Sequence, residues 1–292
     1  MTGRAQRLKL RTSEWMLLCY FAYVALLSAC WKRSSGLSGG ALWILIAAVL
    51  TLLLLARVQA YFPVAISRFR DFLPLGLTLV AFEEMNRFAP RHFDGRLEQT
   101  WIRWDHVLLH DWHLRAAIES LGSPIPIYLE ICYLLVYGLG TYCIVVLYVK
   151  HTRQDIDRFF VICLTGTLVA YALLPFFPSQ PPRVLFPGMD DPTVTSWVRR
   201  FNLWILRKAS IQVGVFPSAH VSSAFAAAWG MFLLLPRQKR FGWGVLVYAI
   251  SVSIATIYGR YHYAADVAAG FGVSLIAGAV CLWLRRGGEA TR

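Results

Sequence analysis

The sequence predicts an all-α protein, a polytopic integral membrane helical bundle with about eight transmembrane helices. Of its 292 residues, 57% are hydrophobic and 14% are aromatic, which is too apolar for a soluble globule of this length. Apolar stretches close to the 17 to 25 or so residues that cross a bilayer recur along the chain. The net charge of +13 comes from basic clusters at the ends of those stretches. That pattern orients membrane helices and argues against a nucleic-acid partner.

The apolar stretches define eight candidate spans, which follow one another at residues 14–31, 40–60, 70–86, 127–149, 158–175, 218–235, 241–258 and 264–284. The first two form an N-terminal pair within residues 1–64, and residues 65–292 hold a six-helix core. The third is the least regular because it is short and carries Glu83 and Glu84. Those carboxylates either face a lumen or end a helix near water, and the span is either complete or broken.

Two long connections, residues 87–126 and 176–217, fall on the same side of the membrane. The distribution of basic residues places both termini in the cytoplasm and these connections outside. The first mixes Trp, His and Arg with aliphatic residues at near-helical spacing, which is typical of a helix lying in the membrane interface. The second is rich in Pro, Arg and Asp and predicts a structured loop or short helices.

Metal and disulfide chemistry are weakly indicated. The six cysteines lie within or beside apolar runs, without a CxxC pair or metal-ligand spacing. A cluster in the first connection admits a metal interpretation, and it consists of His106, His110, Asp111 and His113. Because tryptophans surround this cluster, we favour interfacial side chains and predict neither a metal nor a cofactor.

The stretch "ATIYGRYHYAADVAAG" sets three ionisable residues, Arg260, His262 and Asp266, between two apolar runs. Such residues are costly in a membrane unless they are paired or hydrated, so they suggest a functional site. Asp266 follows His262 by four residues, which places both on one face of a helical segment. A carboxylate there can hold one ring nitrogen and leave the other free to attack.

A second polar group begins the sixth span in "VFPSAHVSSAF". Ser218 is a good N-cap residue, and His220 then lies in the first turn of a helix whose free amides suit a phosphate oxygen. Two crossings separate His220 from His262, so both reach the same membrane face. Arg183, in "SQPPR", lies in the loop leading to this helix, and a guanidinium matches phosphate geometry.

These residues fit phosphoryl transfer through a covalent phosphohistidine. His262 is the expected nucleophile, Asp266 its orienting carboxylate, and His220 the general acid and then base. The expected phosphate-binding residues are Arg183, Arg260 and Ser218. A competing interpretation is a transporter or lipid binder that uses the same charges to hold a head group.

The segments "FPSAH" and "HYAAD" resemble the second and third signatures, PSGH and SRxxxxxHxxxD, of the type 2 phosphatidic acid phosphatase superfamily. The resemblance assigns Ser218 and His220 to the second signature and His262 and Asp266 to the third. It implies a membrane lipid substrate. We expect no required metal, because the arginines and the helix end take the place of a cation. Thr256 stands where the superfamily has its signature arginine, and the first signature, KxxxxxxRP, is absent in its usual form.

Over residues 65–284 the chain looks similar to a branch that includes fungal inositol phosphorylceramide synthases and related bacterial proteins. That likeness implies a head-group phosphotransferase. The alternative is a phosphatase acting on phosphatidic acid or polyprenyl phosphate, with water as acceptor. We expect a bacterial inner membrane with the active site on the extracytoplasmic face, and the sequence leaves the oligomeric state open.

Overall fold

The computed structural model describes residues 9–30, 38–88, 95–209 and 214–289, and within these ranges the chain is helical and contains no strand. The first seven helices are α1 (Thr12–Cys30), α2 (Ser38–Val58), α3 (Pro63–Glu83), α4 (Arg96–His106), α5 (Leu114–Glu119), α6 (Pro124–Leu135) and α7 (Leu139–Val149). The remaining six are α8 (Ile156–Leu173), α9 (Pro182–Leu185), α10 (Trp197–Ala209), α11 (Ala219–Leu234), α12 (Arg240–Tyr258) and α13 (Ala264–Glu289). The prediction of an all-α membrane bundle is therefore confirmed.

Six segments of the described residues are long and apolar enough to cross a membrane, namely Thr12–Cys30, Gly40–Val58, Pro124–Val149, Arg153–Phe176, Arg240–Tyr258 and Ala264–Arg286. They correspond to six of the eight candidate spans. The span predicted at 127–149 consists of α6 and α7, which are joined by a short 3-10 turn. The span predicted at 218–235 is α11, an apolar helix of 16 residues.

The helix predicted at 70–86 begins earlier and ends sooner than expected. Its start at Pro63 reflects the preference of proline for the first turn of a helix, and it ends at Glu83. Arg70 and Asp71 are buried within it, which makes α3 less apolar than the six segments above. Glu84 follows in a 3-10 turn, is buried, and pairs with Arg87 at 2.8 Å, while Glu83 is exposed.

The centre of the bundle is α11, which packs against α8, α12 and α13. Four of its alanines are buried, as expected for a helix enclosed by others, namely Ala224, Ala226, Ala227 and Ala228. Small residues allow the close approach: a Cβ atom added to Gly166 of α8 would lie 2.7 Å from the Cβ of Ala226. This packing fixes the start of α11 beside the start of α13.

Ionic contacts join the N-terminal helices to the rest of the bundle. Glu14 of α1 accepts a hydrogen bond from Arg70 of α3 at 2.5 Å. Asp71 pairs with Arg11 at 2.8 Å and with Arg153, which precedes α8, at 2.7 Å. These contacts lie at the end of α8 opposite the connection 176–217. The division of the chain after residue 64 stays a prediction.

The two long connections contain short helices on the side where α12 ends. α4 buries Trp101 and Asp105 and exposes Trp104, so its two faces differ as an interfacial helix requires. The second connection contains α9 and α10, in agreement with the predicted short helices. Residues 89–94 and 210–213 of these connections lie outside the described ranges.

Candidate active site

The predicted His262–Asp266 contact is present in the turn between α12 and α13. His262 Nδ1 lies 3.2 Å from Asp266 Oδ2, and both side chains are buried. The Tyr263 amide donates to the same carboxylate oxygen at 2.9 Å. Because Nδ1 faces the carboxylate, an Nδ1–H tautomer leaves the lone pair on Nε2 of His262 available.

His220 lies in the first turn of α11, as expected, and faces His262. The ring centroids are 5.7 Å apart, and the planes are inclined by 61°. Ser218 is the N-cap, and its hydroxyl accepts a hydrogen bond from the Val221 amide at 3.4 Å. The Ser218 amide in turn donates to the Asp266 carbonyl at 3.0 Å, which ties the starts of α11 and α13 together. Phosphate contact by Ser218 stays a prediction.

Two tyrosines of the α6–α7 segment surround His220. The ring of Tyr133 is stacked on the imidazole with 5.4 Å between centroids, and the Tyr137 hydroxyl lies 3.3 Å from His220 Nε2. Tyr133 is buried, whereas Tyr137 is 53% exposed. The sequence did not single out either residue, because both resemble ordinary aromatic residues of an apolar span.

Arg183 brings a positive charge to the two histidines. Its Nη1 donates to the Tyr261 carbonyl at 3.4 Å, and its guanidinium lies 5.7 Å from the centre of the Tyr261 ring. Among the residues that the structure describes, no carboxylate pairs with it. Burial lowers the pKa of Arg183, and the nearby Tyr133 and Tyr261 hydroxyls oppose that shift.

His262 is held in its neutral form. Burial lowers its pKa to about 3, and the charge of Arg183 acts in the same direction. The Val215 backbone acts on the pKa in the opposite direction but does not offset these effects. A neutral imidazole at physiological pH is the form that can act as a nucleophile.

Arg260 makes a contact that the sequence did not suggest. The residue is fully buried, and its Nη1 donates to Asp105 Oδ2 at 2.7 Å. Its Nε and Nη2 atoms have no hydrogen-bond partner within the described part of the chain. Phosphate contact by Arg260 stays a prediction, and the contact that the structure shows is with α4.

A second buried cluster supports the same turn from α6 and α10. Glu130 accepts hydrogen bonds from the Tyr261 hydroxyl at 2.6 Å, from Arg199 at 2.8 Å and from Asn202 at 2.8 Å. Arg199 also donates to the Gly259 carbonyl at 3.2 Å. Sequence reasoning missed this cluster, although a lone glutamate inside the predicted span 127–149 was a signal that could have found it.

The cluster considered for metal binding lies at the end of α4 and in the helical turn Val107–Asp111 that follows it. His106, His110 and Asp111 are exposed, and one potential ligand atom from each lies within 4.8 Å of the others. His106 Nδ1 contacts Asp190 at 2.9 Å, and the two imidazoles are stacked at 4.7 Å with nearly parallel planes. In-plane lone pairs of parallel stacked rings do not converge on one ion. The interfacial interpretation therefore stays preferred.

The described residues form an all-α bundle with six segments that are long and apolar enough to cross a membrane. In this bundle a buried histidine–aspartate pair faces a second histidine. These features define an integral membrane protein with a candidate site for phosphoryl chemistry. Residues 99–280 match the family model described as the PAP2 superfamily. That match covers more than half of the chain, which therefore belongs to this superfamily.

A curated relative and the solved structures add little to the family assignment. The chain is 37% identical over 62 residues to a PA-phosphatase related-family protein of Dictyostelium discoideum. The matched segment is 21% of this chain and 11% of that relative. No solved structure matches the chain. Membership in the inositol phosphorylceramide synthase branch stays a prediction.

Proposed function

We propose that the protein transfers a phosphate or phosphorylated head group from a membrane lipid through a phosphohistidine at His262. The observation that carries this proposal is the buried pair of His262 and Asp266, with the His220 ring 5.7 Å from that of His262. Arg183, which pairs with no carboxylate in the described ranges, supplies positive charge beside the pair. A nucleophile, an acid and a phosphate-binding cation are the groups that the reaction needs.

In the first half-reaction, His262 Nε2 attacks the phosphorus of the lipid. The N–P bond forms as the bond between phosphorus and the leaving oxygen breaks, and protonated His220 gives its proton to that oxygen. Asp266 accepts a hydrogen bond from Nδ1–H and stabilises the positive charge that develops on the imidazole. Arg183 and the free amides at the start of α11 bind the phosphoryl oxygens, and we propose that they serve in place of a metal ion.

In the second half-reaction, neutral His220 takes a proton from the acceptor hydroxyl. The acceptor oxygen forms a bond to phosphorus, and the N–P bond to His262 breaks, which restores both histidines. We favour a lipid hydroxyl as acceptor, which makes the protein a head-group phosphotransferase. The second candidate is hydrolysis with water as acceptor, and the name of the Dictyostelium relative, a PA-phosphatase related-family protein, favours it.

The start of α11 and the turn between α12 and α13 lie on the side of the bundle that carries the two long connections. The clusters of basic residues at the opposite ends of the spans support a cytoplasmic location for those ends. We therefore propose that the reaction takes place at the extracytoplasmic face of a bacterial inner membrane.

The test uses purified protein in lipid nanodiscs with phosphatidic acid, a polyprenyl phosphate or phosphatidylinositol, each with EDTA present. We expect phosphate release or a new phospholipid product from the wild type, and a loss of at least about 10³-fold in His262→Ala. His110→Ala is the matched control, because His110 is exposed on the same side and should leave turnover unchanged. A labelled phosphate bound to the protein, stable in base and labile in acid, would identify the intermediate.

The products decide between the acceptors: free phosphate indicates water, and a new phospholipid indicates a lipid hydroxyl. Undiminished turnover in His262→Ala would refute the phosphohistidine. Lipid binding without turnover in the wild type would instead support the lipid-binder interpretation. Loss of turnover with EDTA would refute the proposed metal independence.

A further inference from the structure

The turn that carries His262 is short and has an unusual backbone. It occupies residues 259–263, and Arg260 has a positive φ of 63°, which is uncommon for a residue other than glycine. The amides of Tyr261 and His262 both donate to the Thr256 carbonyl, at 2.9 and 3.1 Å. These bonds hold the turn to the end of α12. Contacts from elsewhere must stabilise the left-handed conformation.

Asp105 of α4 provides contacts on both sides of His262. Its Oδ2 accepts a hydrogen bond from Arg260 Nη1 at 2.7 Å, and its Oδ1 accepts one from the Ala264 amide at 2.8 Å. Arg260 lies two residues before His262, and Ala264 lies two residues after it. A single carboxylate therefore clamps the turn from both ends.

The carboxylate of Asp105 is shielded from water, and it lies where a negative charge is favoured. The side chains of Asp105 and Arg260 are both 0% exposed. Ala264 is the first residue of α13, and a carboxylate near a helix N-terminus interacts favourably with the helix dipole. Burial raises the pKa of Asp105, whereas the charge of Arg260 and the Ala264 amide oppose that rise.

The helix that carries Asp105 also touches the turn through aromatic packing. Trp101 lies one helical turn before Asp105. The centroid of its ring is 5.6 Å from that of Tyr263 and 5.0 Å from that of Phe216, on which it is stacked. Trp104, on the other face of α4, is 57% exposed. α4 therefore joins the surface of the bundle to both polypeptide segments that carry the histidines.

We propose that Asp105 is a positioning residue, which sets the orientation of His262 through Arg260 and the start of α13. This role rests on the proposed function, because His262 needs a fixed direction of attack only if it is the nucleophile. Small errors in the direction of attack cost about 10²-fold in rate for an oriented reaction.

The experiment compares Asp105→Asn with Asp111→Asn in full-length protein in lipid nanodiscs. Both variants exchange a carboxylate for an amide on the same segment, but Asp111 is exposed and contacts only its neighbour His110 in the described structure. We expect Asp105→Asn to lower kcat about 10²-fold and to leave KM within about threefold, because Arg183 and the start of α11 remain. Asp111→Asn should leave both constants unchanged.

Hydrogen exchange of the backbone amides over residues 259–266 gives a readout that does not require turnover. We expect faster exchange there in Asp105→Asn and wild-type exchange in Asp111→Asn. If Asp105→Asn does not fold, the double variant Asp105→Asn with Arg260→Met, which removes both charges of the pair, takes its place in the hydrogen-exchange measurement. Its kcat is not compared, because Arg260 is itself an expected phosphate-binding residue. Wild-type exchange over 259–266, or wild-type kcat, in the folded variant would overturn the positioning role.

The two proposals fail in distinguishable ways. If the wild type turns over no lipid phosphate, the proposed function fails, and hydrogen exchange still decides whether Asp105 holds the turn. If the wild type is active and Asp105→Asn is equally active, the proposed function stands and the positioning role is wrong.

Discussion

Gly270 allows α13 to pack directly on the start of α11, and replacing it with alanine tests how closely the site depends on that contact. An added Cβ atom would lie 2.4 Å from the Ser218 carbonyl oxygen and 3.3 Å from the Val221 Cβ. A carbon–oxygen contact normally needs about 3.3 Å, so the two helices must separate by roughly 1 Å. The obstacle is backbone, which cannot turn aside as a flexible side chain can.

The magnitude follows from two opposing effects. Overpacking of this kind costs about 1–3 kcal/mol, whereas exchanging glycine for alanine in a helix gains up to about 1 kcal/mol. Gly272, two residues further along α13, provides the matched control, because a Cβ atom added there would have no neighbouring atom within 4 Å. We expect Gly272→Ala to be neutral or slightly stabilising and Gly270→Ala to be about 1–3 kcal/mol less stable than that control.

Turnover should respond as well, because Ser218 caps the helix that carries His220. A displacement of about 1 Å at this position predicts a loss of about 10²-fold in kcat. The measurements are thermal unfolding in detergent and lipid-phosphate turnover in nanodiscs, for both variants and the wild type. Equal stability and turnover of the two variants would refute the packing argument, and lowered stability with wild-type kcat would refute the link to His220.

Two further predictions concern charge. Arg183→Gln should lower kcat/KM by about 10²-fold or more, because charge-assisted hydrogen bonds to phosphate contribute about 1.5–3 kcal/mol each. The control is Arg200→Gln, which changes an exposed arginine and should keep full activity. Equal activity of the two variants would contradict phosphate binding by Arg183. The lowered pKa of His262, about 3 against an ordinary value of about 6.5, means that the unfolded chain binds a proton in this interval and the folded protein does not. The contribution of His262 to the free energy of unfolding should therefore fall as the pH drops below about 6.5, by up to about 1.4 kcal/mol per pH unit. In denaturation curves between about pH 7 and 5, His262→Gln should show a slope that is smaller than that of the wild type by up to this amount. An unchanged slope in His262→Gln would show that His262 is not held neutral.

Local sequence patterns predicted the helices and the histidine–aspartate contact because both depend on residues close together in the chain. An apolar run of sufficient length predicts a span, and the spacing of four between His262 and Asp266 predicts their contact, which the structure shows at 3.2 Å. The N-cap at Ser218 is a local feature of the same kind. The third span was placed inaccurately because its charges are satisfied by Glu14 of α1, by Arg11 and by Arg153, which hydropathy does not register.

Hydropathy and helical spacing are local properties, so the sequence alone predicts a helical membrane protein in which two histidines and an aspartate reach one membrane face. The buried charges that meet around the turn of His262 are known only from the folded arrangement of the helices. Arg260 pairs with Asp105 across 155 positions of sequence, and Arg199 reaches Glu130 across 69. Such pairs form because a buried charge is costly without a partner, and packing of the helices alone brings the partners together.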